Sequence, residues 1–237
     1  MKRFGTITPS SNVAVEQVTQ AIAGAYPGVS AHFARLSHHG SSDPFPDTYD
    51  WDGMMLAARL LAHARLDLLC WNGTKGGAIG FEKDRELCRR ISEETGLPAI
   101  TSTLALDALL RETGAEKLAF VTPYQPGFMD RVAAGWGREG FDIVAMEGAG
   151  LSDNYSFSTL AEGEIARMTR TAARARPQAI IFYCTNMLSA PLCAALEAEL
   201  GIPCYDAVSI AVWRALRDMG VDSSASVPGW GRVFMRP

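Results

Sequence analysis

The chain has 237 residues, 48% of them hydrophobic and 20% charged, with a formal net charge of −4 at pH 7. That length supports one large domain or two small ones, the acidic balance without a basic run excludes a nucleic-acid footprint, and no apolar stretch reaches membrane-spanning length. Five cysteines without a CxxC pair signal neither a disulfide framework nor a zinc site and read as free thiols, and the absence of a signal-peptide apolar region makes the cytoplasm the expected compartment.

The first apolar run, residues 4–8, has strand length and ends at Pro9-Ser10-Ser11-Asn12. Residues 36–47 are polar and rich in Gly and Pro, and read as either a lid or a surface connection. Their His38-His39 pair has no third ligand at useful spacing, so no metal site is expected. Helical spacing covers 49–64. A second strand, 66–71, runs into the glycine-rich turn WNGTKGG. This turn is too short for a P-loop and lacks the trailing Lys-Ser/Thr. Helical patterns follow at 82–95 and 103–113, a strand at 118–122, and helices at 126–139 and 158–175. The strand 179–183 then meets the turn Cys184-Thr185-Asn186, with helices expected at 190–200 and 209–219.

These elements repeat. LCRRISEETGLPAI (87–100) matches LCAALEAELGIPCY (192–205), with Leu, Cys, Gly and Pro in register. FGTITPSSN near the start matches LAFVTPYQP at 118–126, pairing Pro9 with Pro123. Superposing the two strand-turn segments pairs Thr74 with Thr185 and Gly73 with Cys184. Three landmarks recurring in one order imply a duplicated unit. Alternating strands and helices imply parallel sheets covered on both faces. The expectation is an α/β fold of two pseudo-symmetric Rossmann- or flavodoxin-like lobes, the first from 1–102 plus 208–237 and the second from 103–207. Ligands bind beyond the carboxyl ends of such strands, which places the TP, GT and CT turns around one inter-lobe cleft.

Cys184 falls between a strand and an expected helix N-terminus, where a helix dipole can lower a thiol's pKa. Cys70, Cys88, Cys193 and Cys204 read as small core hydrophobes. Thr74, Thr185, Ser10 and Ser11 supply hydroxyls at turns with free backbone N–H groups, a nest suited to a carboxylate; singly, each is more often an ordinary turn or cap residue. Tyr124 is either an oxyanion donor or a rim aromatic. Lys75, at the wrong end of a helix dipole for a cation, either faces an anion or swings into water.

TPSSN, the GT turn, TPY, LSDN at 151–154, the CTN turn and the late GWGRVF together resemble the aspartate/glutamate racemase superfamily, in the branch of maleate cis-trans isomerase and arylmalonate decarboxylase. The resemblance covers nearly the whole chain and implies cofactor-free chemistry between two lobes. Racemases and maleate isomerases of that superfamily place a cysteine on each lobe. Here the second-lobe cysteine corresponds to Cys184 and the first-lobe position is Gly73, as in arylmalonate decarboxylase. Asn12 and Asn154 resemble the asparagines with which maleate isomerases grip a carboxylate, and Asn186 belongs to the same turn as Cys184.

A vacant Gly73 removes one partner of a two-base racemisation and the nucleophile of maleate isomerisation. Decarboxylation needs a carboxylate clamp, an oxyanion hole and one acid. The leading expectation is a cofactor-independent lyase on a small carboxylate or dicarboxylate, with Cys184 as proton donor and Gly73 leaving room. The alternatives are an isomerase or racemase pairing Cys184 with another group such as Lys75, and a non-catalytic carboxylate-binding protein. Nucleic acid and membrane are not expected as partners, and a homo-oligomer is left open.

Overall fold

The computed structural model describes residues 1–37, 44–225 and 229–236. The first half runs β1 (Lys2–Pro9), α1 (Ala14–Ala23), β2 (Val29–Leu36), α2 (Trp51–Ala62), β3 (Leu68–Trp71), α3 (Gly76–Ile79), α4 (Phe81–Thr95), β4 (Ala99–Thr101) and α5 (Ser102–Thr113). The second half runs β5 (Lys117–Tyr124), α6 (Pro126–Arg138), β6 (Asp142–Leu151), α7 (Asn154–Phe157), α8 (Glu162–Ala173), β7 (Ala179–Phe182), α9 (Cys193–Leu200), β8 (Cys204–Asp206) and α10 (Ala207–Asp218).

The strands form two separate parallel sheets, ordered β2-β1-β3-β4 and β6-β5-β7-β8. The orders are the same topology written twice, as the sequence repeat requires. In the first sheet Trp71 pairs with Ile7 and Thr101. In the second, Phe182 pairs with Val121 and Asp206. Thr101 and Asp206 then cap the helices that follow: Thr101 Oγ1 accepts from Leu104 N, and Asp206 Oδ1 accepts from Val208 N and Ser209 N. The Gly-x-Pro landmark also has a physical origin. Gly96 and Gly201 end α4 and α9 at φ of 72° and 70°, a left-handed conformation that glycine adopts without the Cβ clash.

The expected strands are the central ones. β2 and β6 were not expected because they are edge strands with half-buried residues and no continuous apolar run. The helix expected at 158–175 is α8 preceded by the one-turn α7, and that expected at 190–200 is a 3-10 turn, Ala190–Leu192, leading into α9.

The two halves share a core. Phe4, Val15 and Phe81 of the first belong to the same apolar cluster as Leu118, Phe120 and Trp136 of the second. Trp136 sits edge-on to Phe81 at 5.0 Å and to Tyr183 at 5.6 Å. Each such buried side chain contributes about 1.5–3 kcal/mol. Helix α6 reaches α3 because Gly135 lies against the Gly77 carbonyl, at a distance no Cβ would tolerate. Helix α10 packs on α1, α5 and the ends of β3, β4 and β8. This common core brings the carboxyl ends of β1, β3, β5 and β7 toward one another.

Candidate active site

A cavity of about 290 Å³ lies where those strand ends converge, and Gly73, Thr74, Lys75, Tyr124, Asn154, Cys184 and Thr185 all line it. Turns more than a hundred residues apart therefore meet, the GT turn after β3 facing the same space as the CT turn after β7. Around them the wall is apolar and aromatic, with Leu36, Phe45, Tyr49, Trp71, Phe128 and Phe157. Among the described lining residues Lys75 is the cation and Asp50 the anion.

The Cys184 thiol is 2% exposed. Burial pushes it up to about 12, against the opposing pull of the Tyr124 hydroxyl and the backbone N–H groups of Asn186 and Met187. The expected dipole activation is corrected. No helix starts at this turn, because α9 begins at Cys193 after the 3-10 turn, and desolvation of a thiolate dominates. At neutral pH the Cys184 thiol therefore keeps its proton.

Tyr124 joins the lobes at this point. Its hydroxyl lies 3.1 Å from Thr74 Oγ1, with the Cys184 thiol as an electrostatic neighbour. Phe128 and Phe157 hold its ring at 4.7 and 5.3 Å. Burial, and then the neighbouring Cys184, raise the phenol well above its ordinary value, so it stays protonated. The backbone N–H groups of Thr74 and Thr185 make no hydrogen bond among the described residues. Two hydroxyls and two turn N–H groups at one cavity suit an anionic oxygen.

Ser10, Ser11, Asn12 and Asn186 are not among the residues lining the cavity; they hold the seam beside it. Asn12 Nδ2 donates to the Thr185 carbonyl at 3.1 Å and to its hydroxyl at 3.3 Å, while Asn12 Oδ1 accepts from Val15 N at 2.9 Å. Asn186 Oδ1 accepts from Val13 N and Ala14 N at 2.9 and 3.2 Å, and Asn186 Nδ2 donates to the Asn154 carbonyl at 2.5 Å. The side chain of Asn154 donates to Ser11 Oγ at 2.8 Å. The Ser10 carbonyl accepts from Arg35 Nη1 at 2.7 Å.

Lys75 precedes the single turn α3, and its ammonium donates to the Phe45 carbonyl while lying 5.9 Å from the centre of the Tyr49 ring. The segment from Phe45 is also tied to the second lobe by Arg131 Nη2, which donates to the Pro46 carbonyl at 3.2 Å and to Asp47 Oδ1 at 2.7 Å. His38 and His39 lie outside the described residues. Among the described residues no group of three His, Cys, Asp or Glu gathers where it could hold a metal ion, and no helix is long and apolar enough to cross a membrane.

Three features escaped the sequence. Tyr49 lines the cavity and donates to the fully buried Asp84, which also accepts from Thr101 Oγ1 at 2.5 Å. Burial raises Asp84 to about 6, with the hydroxyls of Thr101 and Tyr49 opposing. The third is Trp71. A Cβ built on Gly73 would lie 2.4 Å from two carbons of the Trp71 indole. The expectation that Gly73 leaves room is corrected, since the ring already occupies that volume. The signal lies two residues upstream, in the aromatic that ends the strand.

A family profile described as arylmalonate decarboxylase matches residues 51–234. The chain belongs to the arylmalonate decarboxylase family. The maleate isomerase of Nocardia farcinica is 27% identical over 99% of this chain and 96% of its own. The arylmalonate decarboxylase of Bordetella bronchiseptica is 26% identical over 60% of each chain. A structure of the Nocardia farcinica maleate cis-trans isomerase, carrying a covalently bound succinylcysteine intermediate, superposes with a TM-score of 0.85 at 25% identity over 98% of both chains. The chain is thus an enzyme of this family.

Proposed function

We propose that the chain is a cofactor-independent decarboxylase of a malonate-like acid carrying an apolar substituent. The observation that carries this reading is the pairing at the cavity: a buried, protonated Cys184 on one side and Gly73, without a side chain, on the other. One carboxylate of the substrate is held by the Thr74 and Tyr124 hydroxyls and the N–H groups of Thr74 and Thr185. The second carboxylate loses its bond to the α-carbon and departs as CO₂. The bonding pair passes into an enediolate, whose oxygens keep the same donors, now against a larger charge. The Cys184 S–H then gives its proton to the α-carbon, and water returns a proton to the thiolate. The apolar wall of Leu36, Phe45, Phe128 and Phe157 favours an aryl or alkyl substituent and weakens solvation of the departing carboxylate.

A second reading is maleate-type isomerisation, favoured by the whole-length similarity to maleate isomerase. It requires a nucleophile that Gly73 does not supply, and Lys75 would have to stand in for it. Proton NMR in D₂O with phenylmalonate, methylmalonate, maleate and aspartate separates the two. Loss of CO₂ with one deuteron incorporated is the expected outcome. Conversion of maleate to fumarate with the malonates untouched would replace the first reading by the second. Saturable binding without turnover of any of the four would leave a carboxylate-binding protein.

A further inference from the structure

The two halves of the cavity differ at two matched positions, 71 against 182 and 73 against 184. β3 ends in Trp71 and is followed two residues later by Gly73; β7 ends in Phe182 and is followed two residues later by Cys184. Phe182 is fully buried in the outer core of the second lobe and does not line the cavity, whereas the Cys184 side chain does. Trp71 does line the cavity. Its Cε2, Cζ2 and Nε1 lie 2.4, 2.4 and 2.9 Å from where a Cβ on Gly73 would stand. The ring has little freedom to give way. The residue is 4% exposed, its backbone is laddered between β1 and β4, and Tyr49 meets the indole edge-on at 6.0 Å and 80°.

We propose that Trp71 is the specificity-determining residue of the first-lobe face. Its indole occupies the volume that a side chain at position 73 would need, so this face presents a flat aromatic wall where the other lobe presents a thiol. The proton then reaches the α-carbon from the Cys184 side, and the product forms with one handedness. The glycine is a consequence of the tryptophan, and neither residue changes alone without cost. The stereochemical part rests on the decarboxylase reading; the interlock between the two residues does not.

The test is a cycle of Gly73→Cys, Trp71→Phe and the pair together, the pair copying the Phe-x-Cys arrangement of the second lobe. Overpacking by Gly73→Cys should lower Tm by on the order of 5 °C or more in a chain of this size. The double variant should regain at least half of that loss, a coupling that only touching residues show. With 2-methyl-2-phenylmalonate as probe, wild type should give one enantiomer, and the double variant should erode that excess by supplying a proton from the opposite face. A Gly73→Cys protein as stable as wild type, or a double variant no more stable than Gly73→Cys, soluble or not, overturns the interlock. A rescued double variant whose product keeps the wild-type excess overturns the assignment of handedness. If wild type decarboxylates no malonate, the functional reading fails while the stability cycle still decides the interlock.

Discussion

Asn186 offers a direct test of what the asparagines at the cleft are for. The side chain is fully buried. Its Oδ1 accepts from Val13 N at 2.9 Å and Ala14 N at 3.2 Å, and its Nδ2 donates to the Asn154 carbonyl at 2.5 Å. Helix α1 has no side-chain cap at Val13; Asn12 Oδ1 pairs Val15 N, and a residue 173 positions away in sequence pairs the two N–H groups before it. Asn186→Ala would strip partners from two N–H groups and one carbonyl without admitting bulk water to Ala14, which is fully buried. A buried donor left unpaired costs about 1–3 kcal/mol, and loss of a helix cap about 1 kcal/mol. The sum, about 2–4 kcal/mol, corresponds to a Tm lower by about 5–15 °C at this chain length. Thermal unfolding followed by circular dichroism measures it, with KM determined well below the transition. The expected result is a large fall in Tm with KM changed less than about threefold, because the side chain is not among the cavity residues. A Tm within a degree of wild type together with a tenfold rise in KM would refute the reasoning and return Asn186 to substrate binding.

Cys184→Ser should lower kcat by about 10²–10⁴ while leaving Tm nearly unchanged, since a hydroxyl is a far weaker acid than a thiol; steady-state kinetics retaining more than a tenth of the wild-type kcat would contradict it. With that thiol pushed up to about 12 by burial, it stays protonated across pH 6–9, so an alkaline fall in kcat with an apparent pKa near 8 would show that Cys184 is not held as described. Thr74→Ala and Tyr124→Phe each remove a member of the 3.1 Å hydroxyl pair and should each cost about 1–3 kcal/mol in kcat/KM, with the double variant losing clearly less than the sum; strict additivity would show that the two hydroxyls do not act together. Asp84 is raised from 3.8 to about 6, so its native state favours the proton: the stability this confers is full below about pH 3.8 and is lost, to the extent of about 3 kcal/mol, as pH rises through 6. Asp206 is raised to about 6 as well, so Asp84→Asn should remove roughly half of the fall in Tm between pH 4 and 7 that this pair produces, and Tm–pH curves parallel to wild type would refute the assignment.

Much of the architecture was legible because duplication writes local signals twice. The glycines at 96 and 201, the strand ends at Trp71 and Phe182, and the matched turns at Thr74 and Thr185 are all settled by neighbours in the chain. Periodicity and turn chemistry therefore sufficed for the central strands and most helices, and for bringing Gly73, Cys184 and Tyr124 to one cleft. The edge strands β2 and β6 were not legible, since half-buried residues carry no continuous apolar run.

Near the site the limits are sharper. Cys184 was read from its turn as lying under a helix dipole, yet its environment is set by burial against groups from the rest of the second lobe. Asn12 and Asn186 have the chemistry of substrate clamps, and nothing local says that each hydrogen-bonds across 173 residues. Gly73 looked like empty space because a sequence lists side chains without the volumes around them. The central strands, and the placement of the GT and CT turns at their carboxyl ends, follow from local backbone preferences that any short segment carries. Which thiol is desolvated, which amide is already spent and which void is already filled depend on distances between distant segments, and those exist only once the two lobes have packed.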